Sequence, residues 1–188
     1  MSATAFPFGV RPVYHPTGLV RPATFTIASG YATSIFKDDP VILNTNGTIT
    51  VGTAAAALLG TFAGCEYTDA TGKPNYSNFY PAGQTIQAGS VITCYVVTGD
   101  ETVFEVQAQG SLTQSSVGDE ADIVYTAGST ATGLSGVALS TVLAGAGLQK
   151  QWRIIGFGQD PDNAVGDAFT VVRVVLSQNQ LRVSSPAI

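Results

Sequence analysis

The stretch VITCYVVTGDETVFEVQAQ, residues 91–109, contains two consecutive strand patterns. Its first half is an almost uninterrupted run of β-branched and aromatic side chains, which is typical of a strand covered on both faces. From Val103 onward apolar and polar side chains alternate, which predicts a strand whose Glu105 and Gln107 face solvent. Because a short segment centred on Gly99-Asp100 separates the two runs, we predict a β-hairpin at the middle of a sandwich or barrel.

Further strand patterns follow along the chain, separated by turn-forming residues at intervals of roughly eight to fifteen residues. The predicted strands are residues 41–43, 49–51, 59–67, 121–125, 152–157 and 168–176. Asn46-Gly47 is predicted to be a two-residue hairpin turn, residues 54–59 and 140–147 short helical turns, and residues 68–90 a long loop. The overall prediction is an all-β fold, a sandwich or barrel of antiparallel strands.

Residues 1–30 differ from the rest because prolines recur there, at positions 7, 12, 16 and 22. Proline disfavours helix at its own position and at the residue before it. We therefore predict an extended N-terminal arm, residues 1–30, joined to a single β-rich domain, residues 31–188. The side chains expected to contact a partner subunit are Phe6, Phe8, Arg11, Tyr14, His15, Arg21 and Phe25. The alternative is that this segment forms a proline-rich edge strand on the protein's own core.

The chain is poor in charge. Asp, Glu, Lys and Arg make up 11% of the residues, against about 25% in an ordinary soluble domain. This composition favours a protein whose surface faces other protein. The net charge is −5 and the arginines are scattered, so we expect no nucleic-acid partner. No apolar run is long enough to cross a membrane, and no membrane partner is expected.

Few residues are suited to catalysis. His15 is the only histidine, and no nucleophile signature accompanies it. The His and Cys residues are too few for a metal site of the zinc type. We therefore predict no catalytic residue, no cofactor and no metal. Cys65 and Cys94 are expected to be buried free thiols rather than a disulfide, in a protein made in a reducing cytoplasm.

Two other functions stay open. Tyr76, Phe79 and Tyr80 lie in the predicted loop 68–90 and could stack on sugars, which would make it the surface-recognition loop of a carbohydrate-binding module. A hydrolase would need two carboxylates flanking a cleft, although exposed turn positions explain the acidic residues equally well. The acidic candidates are Glu101, Glu105, Asp119, Glu120 and Asp122.

A series of short segments carries a likeness to a known group of proteins. They are FGVRP (8–12), ASGY (28–31), FEVQ (104–107), VGDEAD (117–122), TGLS (132–135), WRIIG (152–156), DPDN (160–163), GD (166–167), VRV (172–174) and NQL (179–181). Together they resemble virion proteins of tailed bacteriophages that are encoded beside the major capsid protein, above all head decoration, or cement, proteins. The resemblance implies a β-rich protein without an active site that binds the capsid shell and stabilises it.

We therefore expect a capsid decoration protein on the virion surface, assembled in the host cytoplasm. Its expected partners are the major capsid protein and further copies of itself, with a homotrimer favoured. The alternative within the virion is a tail or fibre adaptor protein.

Overall fold

The computed structural model describes residues 2–99 and 101–182. Met1 of the predicted arm, Asp100 of the predicted hairpin turn and residues 183–188 of the predicted domain lie outside the described residues. The described part of the chain forms twelve strands and one short 3₁₀ turn, Gln114–Ser116. The strands are β1 (Arg11–Tyr14), β2 (Ala23–Ile27), β3 (Pro40–Leu43), β4 (Ile49–Val51), β5 (Gly60–Thr68), β6 (Pro74–Ser77), β7 (Ile92–Thr98), β8 (Val103–Gln107), β9 (Glu120–Val124), β10 (Ala138–Leu143), β11 (Trp152–Phe157) and β12 (Val171–Leu176).

The strands form two antiparallel sheets. The order of the first sheet is β1-β8-β12-β11-β9-β10. The order of the second is β2-β7-β5-β3-β4, with β6 paired to β5. Neither ladder of paired strands is closed among the described residues, although single bridges join Thr26 of β2 to Thr48 beside β4 and Ala108 beside β8 to Leu139 of β10. The arrangement fits a sandwich. The all-β prediction is confirmed.

The larger hydrophobic cluster joins the two sheets. It contains Val97 of the second sheet together with Phe104, Trp152 and Val174 of the first. The ring of Phe104 packs edge-on against Trp152, with 5.1 Å between the ring centroids, a favoured geometry for an aromatic pair. Most of this cluster lies on strands of the first sheet, and Val97 joins it from the second.

The second hydrophobic cluster lies on the other side of β7. It contains Val96, whereas the neighbouring Val97 belongs to the first cluster, because successive side chains of a strand point to opposite faces. The prediction that this strand is covered on both faces therefore holds at residues 96–97. It is wrong at Thr93 and Tyr95, which are half-exposed.

β7 and β8 do not form a hairpin, so that prediction is wrong. β7 pairs with β2 and β5 in the second sheet, and β8 pairs with β1 and β12 in the first. Both hydrogen-bonding edges of each strand are thus occupied by strands from elsewhere in the chain. The chain crosses between the sheets at Gly99, where an added Cβ would lie 2.3 Å from a methyl carbon of Leu176. Glycine permits this close crossing.

The hairpin of β3 and β4 is confirmed, with Val41 opposite Val51 and Leu43 opposite Ile49. Its turn differs from the prediction, because a two-residue Asn-Gly turn needs positive φ at both residues. Here only Gly47 has a positive φ, of 80°. The turn is closed by a bond from the Gly47 N–H to the Asn44 carbonyl, which leaves a three-residue loop, 45–47.

Three further predictions of local structure are wrong. Residues 54–59 contain no helical turn, and Ala55 has a φ of 63°, which a right-handed helix excludes. Residues 140–143 belong to the edge strand β10 instead of a helical turn. The predicted loop 68–90 contains β6, which forms a hairpin with β5.

The extended-arm prediction is not confirmed. β1 forms one edge of the first sheet and β2 one edge of the second. Pro12 lies in β1 and Pro22 directly precedes β2, and edge strands tolerate proline because one side of their backbone needs no partner. The alternative, a proline-rich segment that forms edge strands on its own core, describes these residues.

Candidate functional site

The first residues of the chain lie over the outer face of β8. The Gln107 Nε2 donates to the Thr4 carbonyl at 3.0 Å, and the Phe6 N–H donates to the Gln107 Oε1 at 2.8 Å. Further on, the Val10 N–H donates to the Asp38 carbonyl at 2.9 Å, and the Val10 side chain is fully buried. These contacts hold the N-terminal segment, residues 2–27, against the body of the protein, both at the residues that precede β1 and at β1 itself.

Glu105 ties β1 to the sheet through two arginines. Arg11, Glu105 and Arg173 lie directly opposite one another on β1, β8 and β12. The Arg11 Nη2 lies 2.9 Å from one carboxylate oxygen and the Arg173 Nε 3.1 Å from the other. These contacts and the N-terminal segment bury Glu105 and Gln107. The prediction that this face of β8 is exposed is wrong.

Three of the predicted contact residues are used inside the molecule. The Arg11 guanidinium, besides its pairing with Glu105, lies 4.9 Å from the centre of the Phe8 ring, which is cation–π distance. Phe8 is half-buried, and Phe25 packs against the second hydrophobic cluster. These side chains stabilise the fold, and of the three only Arg11, at 44% exposure, keeps a large accessible surface.

The remaining predicted contact residues are accessible. Phe6 is 69% exposed and Tyr14 is 55% exposed. Arg21 is exposed, and His15 opens a turn that is closed by the Gly18 N–H on the His15 carbonyl at 2.8 Å. An open groove of about 510 Å³ follows this turn. Its lining residues are His15, Thr17, Leu19, Arg21, Thr98 and Thr102.

Leu19 also belongs to this surface, although the sequence did not single it out. It is 53% exposed in the loop between β1 and β2. A single leucine among proline and polar residues has no periodicity that marks it as exposed. We call the exposed side chains of Phe6, Tyr14 and Leu19 the N-terminal apolar surface.

The aromatic residues of the 68–90 segment do not form one recognition surface. Tyr76 on β6 is 78% exposed. Phe79 stacks on Phe36, with ring centroids 5.7 Å apart. Tyr80 is fully buried, and its hydroxyl donates to the Tyr31 carbonyl at 3.1 Å. Only Tyr76 of the three predicted residues is placed to meet a ligand.

Two of the acidic residues considered for hydrolysis are neutralised inside the sheet. Glu105 forms ion pairs with Arg11 and Arg173. Glu120 is fully buried, 2.9 Å from the Arg153 guanidinium, and accepts from the Ser177 hydroxyl and the Lys150 N–H. Such carboxylates, saturated by fixed donors, stabilise the sheet.

Asp38 and Asp39 form a buried acidic pair between the sheets and the N-terminal segment. Burial raises the pKa of both carboxyls to about 6. The Lys37 ammonium opposes the rise most strongly at Asp38, and the Ser135 side chain, followed by the Phe36 N–H, opposes it at Asp39. The Asp39 Oδ2 accepts from the Phe36 N–H at 2.8 Å. Its buried Oδ1 has no hydrogen-bond partner among the described residues.

Cys65 and Cys94 lie directly opposite each other on β5 and β7. Both are buried free thiols, which confirms the prediction. Burial raises the pKa of each thiol to about 12, so the reactive thiolate is strongly disfavoured. Their separation in sequence concealed that they are neighbours across the sheet.

Within residues 2–99 and 101–182, no three His, Cys, Asp or Glu side chains are grouped as a metal site requires. The same residues include no helix of the length and apolar character needed to span a membrane.

Comparison with known proteins gives no match. No family model, no curated protein and no solved structure matches the chain. The likeness to phage decoration proteins therefore stays a prediction that rests on the segments quoted above.

Proposed function

We propose that this protein is a virion structural protein, a β-sandwich decoration protein that binds the major capsid protein on the head surface and stabilises the shell. The observation that carries the proposal is the N-terminal apolar surface, three large exposed side chains on a firmly fixed segment. The sequence resemblance supports the same conclusion independently.

The charge distribution supports contact with protein. The chain has eight Lys and Arg residues. Four of them, Arg11, Lys150, Arg153 and Arg173, form ion pairs with buried or half-buried carboxylates of the same chain. Cores of protein interfaces are depleted of charge and enriched in aromatic side chains. Phe6 and Tyr14 supply exposed aromatic side chains of this kind, and the exposed charge beside them is that of Arg21.

The proposed contact does not use a free arm. The N-terminal segment is held by Gln107 and Glu105, so its exposed side chains are already positioned, and binding does not have to order a flexible chain. Pro12 removes a backbone donor from the edge strand β1, which disfavours strand addition. We therefore propose that the capsid is contacted through side chains.

The proposed partners are the major capsid protein and further copies of this chain, in a homotrimer on the virion surface. Each exposed apolar side chain that becomes buried contributes about 1.5–3 kcal/mol. A trimer would present the N-terminal apolar surface three times, which raises avidity without additional contacts.

The test compares a triple variant at the N-terminal apolar surface with a double variant near the opposite edge of the first sheet. The first is Phe6→Ala/Tyr14→Ser/Leu19→Ser. The control is Val142→Ser/Leu148→Ser, at residues that are 69% and 63% exposed near the edge strand β10. Deleting residues 1–25 would be a poorer test, because it removes β1 and part of β2 from the sheets.

Each variant is mixed with shells assembled from the proposed partner, the major capsid protein, and sedimented. We expect the first variant to bind at least about 100-fold more weakly, from the loss of about three apolar contacts, and the control to bind like wild type. Equal binding by both variants would refute the proposed surface. Binding to tails but not to shells would favour the adaptor alternative.

A further inference from the structure

The second sheet carries an unusual row of side chains where β5, β6 and β7 pair. In this register Tyr76 of β6 and Thr93 of β7 lie on either side of Glu66 of β5. Directly paired residues point to the same face of a sheet. Cys65 and Cys94, one position away, point into the second hydrophobic cluster, so the Tyr76–Glu66–Thr93 row faces the opposite side.

Tyr76 stands between two hollows on this face. A hollow of about 390 Å³ is lined by Glu66, Thr68, Asn75, Ser90 and Thr93 among others, and one of about 380 Å³ by Gly64, Asn78 and Tyr95 among others. The Tyr76 ring borders both. Since Tyr76 is 78% exposed, a flat ligand can reach its ring from solvent.

The polar groups around the ring are hydroxyls, amides and one carboxylate. Glu66 is the charged residue that lines these hollows, and no Lys or Arg of the described residues does. Burial and the nearby Glu66 carboxylate raise the pKa of the Tyr95 hydroxyl, and Tyr95 lies on the same face of β7 as Thr93, which pairs with Glu66. A site of this kind disfavours phosphate, sulfate and other anionic groups, because nothing in it compensates their charge.

We infer that the Tyr76–Glu66–Tyr95 surface binds a neutral sugar, a pyranose unit of a glycan. One face of a pyranose presents C–H groups, which pack against the electron-rich face of an aromatic ring. Its hydroxyls both donate and accept, and a carboxylate accepts such bonds strongly. This inference does not rest on the proposed capsid contact, which uses residues on the N-terminal segment.

The site differs from the recognition loop expected from the sequence. Phe79 and Tyr80 do not line these hollows, because Phe79 is half-buried and stacked on Phe36 and Tyr80 is fully buried. Tyr95 and Glu66 enter it from β7 and β5, which lie outside the 68–90 segment, and strand pairing alone brings them to Tyr76.

The test uses the full-length chain, displayed as tetramers on streptavidin, on an array of neutral and anionic oligosaccharides. We expect wild type to bind at least one neutral glycan, Tyr76→Ala to bind it at least about tenfold more weakly, and Glu66→Gln to bind it more weakly. Tyr76→Phe keeps the ring and should retain most of the binding. The control Leu148→Ala changes an exposed apolar residue elsewhere and should bind like wild type.

Three results would overturn the inference. The first is that wild type binds no neutral glycan on the array, and the second is that Tyr76→Ala binds as well as wild type. The third is that Tyr76→Ala abolishes binding to capsid shells while glycan binding is absent, which would make this face a protein contact. Because Tyr76 lies on an exposed face, thermal unfolding of each variant is expected to match wild type, and this measurement excludes loss of folding as the cause.

Discussion

The buried pair Asp38 and Asp39 should make the protein less stable as the pH rises towards neutrality. In the folded protein burial raises the pKa of each carboxyl from 3.8 to about 6. The folded state therefore binds protons more tightly than the unfolded state, and ionisation penalises only the folded state. Since one pKa unit corresponds to about 1.4 kcal/mol, each ionised carboxyl lowers the free energy of unfolding by about 3 kcal/mol.

The sign and the pH window follow from these values. Below the unfolded pKa of 3.8 both states are protonated and the penalty is absent. It develops as the pH rises from about 4 through about 6, and it is complete above neutrality. The hydrogen bonds that hold the pKa of Asp69 at about 2 act below this window. Because part of the penalty is already present at pH 4.5, we expect the free energy of unfolding to be about 4 kcal/mol higher near pH 4.5 than near pH 7.5, about 2 kcal/mol from each carboxyl.

Urea unfolding at a series of pH values measures the effect, with the fluorescence of the single, fully buried Trp152 as the signal. Asp39→Asn keeps an acceptor for the Phe36 N–H and removes the charge. We expect it to remove about half of the pH dependence. The double variant Asp38→Asn/Asp39→Asn should remove nearly all of it, because asparagine tolerates the positive φ of 67° at position 38.

The variants are compared by the slope of the free energy of unfolding against pH and not by its absolute value. A buried amide without a partner has its own cost of about 1–3 kcal/mol, and this cost does not vary with pH. A wild-type protein that is more stable near pH 7.5 than near pH 4.5 would refute the reasoning. So would a double variant that keeps the wild-type slope.

Three further predictions concern the N-terminal segment and the core. Gly9→Ala should lower the free energy of unfolding by more than about 2 kcal/mol, because Gly9 has a φ of 82° and the new Cβ would lie 2.6 Å from its neighbours. Gly18→Ala, where φ is 77° and the surrounding space is open, should lower it by only about 1 kcal/mol. Equal losses in urea unfolding would contradict the close contact at Gly9. Glu105→Ala should lower it by about 3 kcal/mol because two arginines lose their buried partner, and a loss below about 1 kcal/mol would show that the pair is unimportant. Cys65 and Cys94 should resist a thiol reagent in the native protein and react once it is unfolded; rapid native reaction would contradict their burial.

The positions of individual strands could be predicted from the sequence, whereas the pairing between strands could not. Residues 152–157 form a strand over the range predicted, because their β-branched and aromatic side chains favour extended structure with any partner. β7 and β8 also form where strands were expected. The prediction that they form a hairpin was wrong because strands distant in sequence pair with both edges of each of them. A local turn pattern contains no information about such distant partners.

The same limit explains the errors on burial. Alternation correctly placed Glu105 and Gln107 on the face opposite the core. It could not reveal that Arg11, Arg173 and the first residues of the chain cover that face. Whether a polar side chain meets water depends on segments that come from elsewhere in the fold.

The candidate contact surface was predicted in part. The pattern of aromatic residues between prolines pointed to Phe6 and Tyr14, which are exposed. Phe8 has the same local pattern, but its ring packs against the Arg11 guanidinium of the same chain. No pattern in the sequence indicated that Leu19 is exposed. Tyr95 and Glu66 were not identifiable, because their proximity to Tyr76 depends on strand register.

The most direct test of the central claim is co-sedimentation of the wild-type protein with phage heads built from the proposed partner, the major capsid protein. We predict that binding saturates at a fixed ratio of this chain to capsid subunits and that the coated heads withstand higher temperature than bare ones. Protein that stays entirely in the supernatant at saturating concentration, with heads no more resistant to heat, would contradict the account.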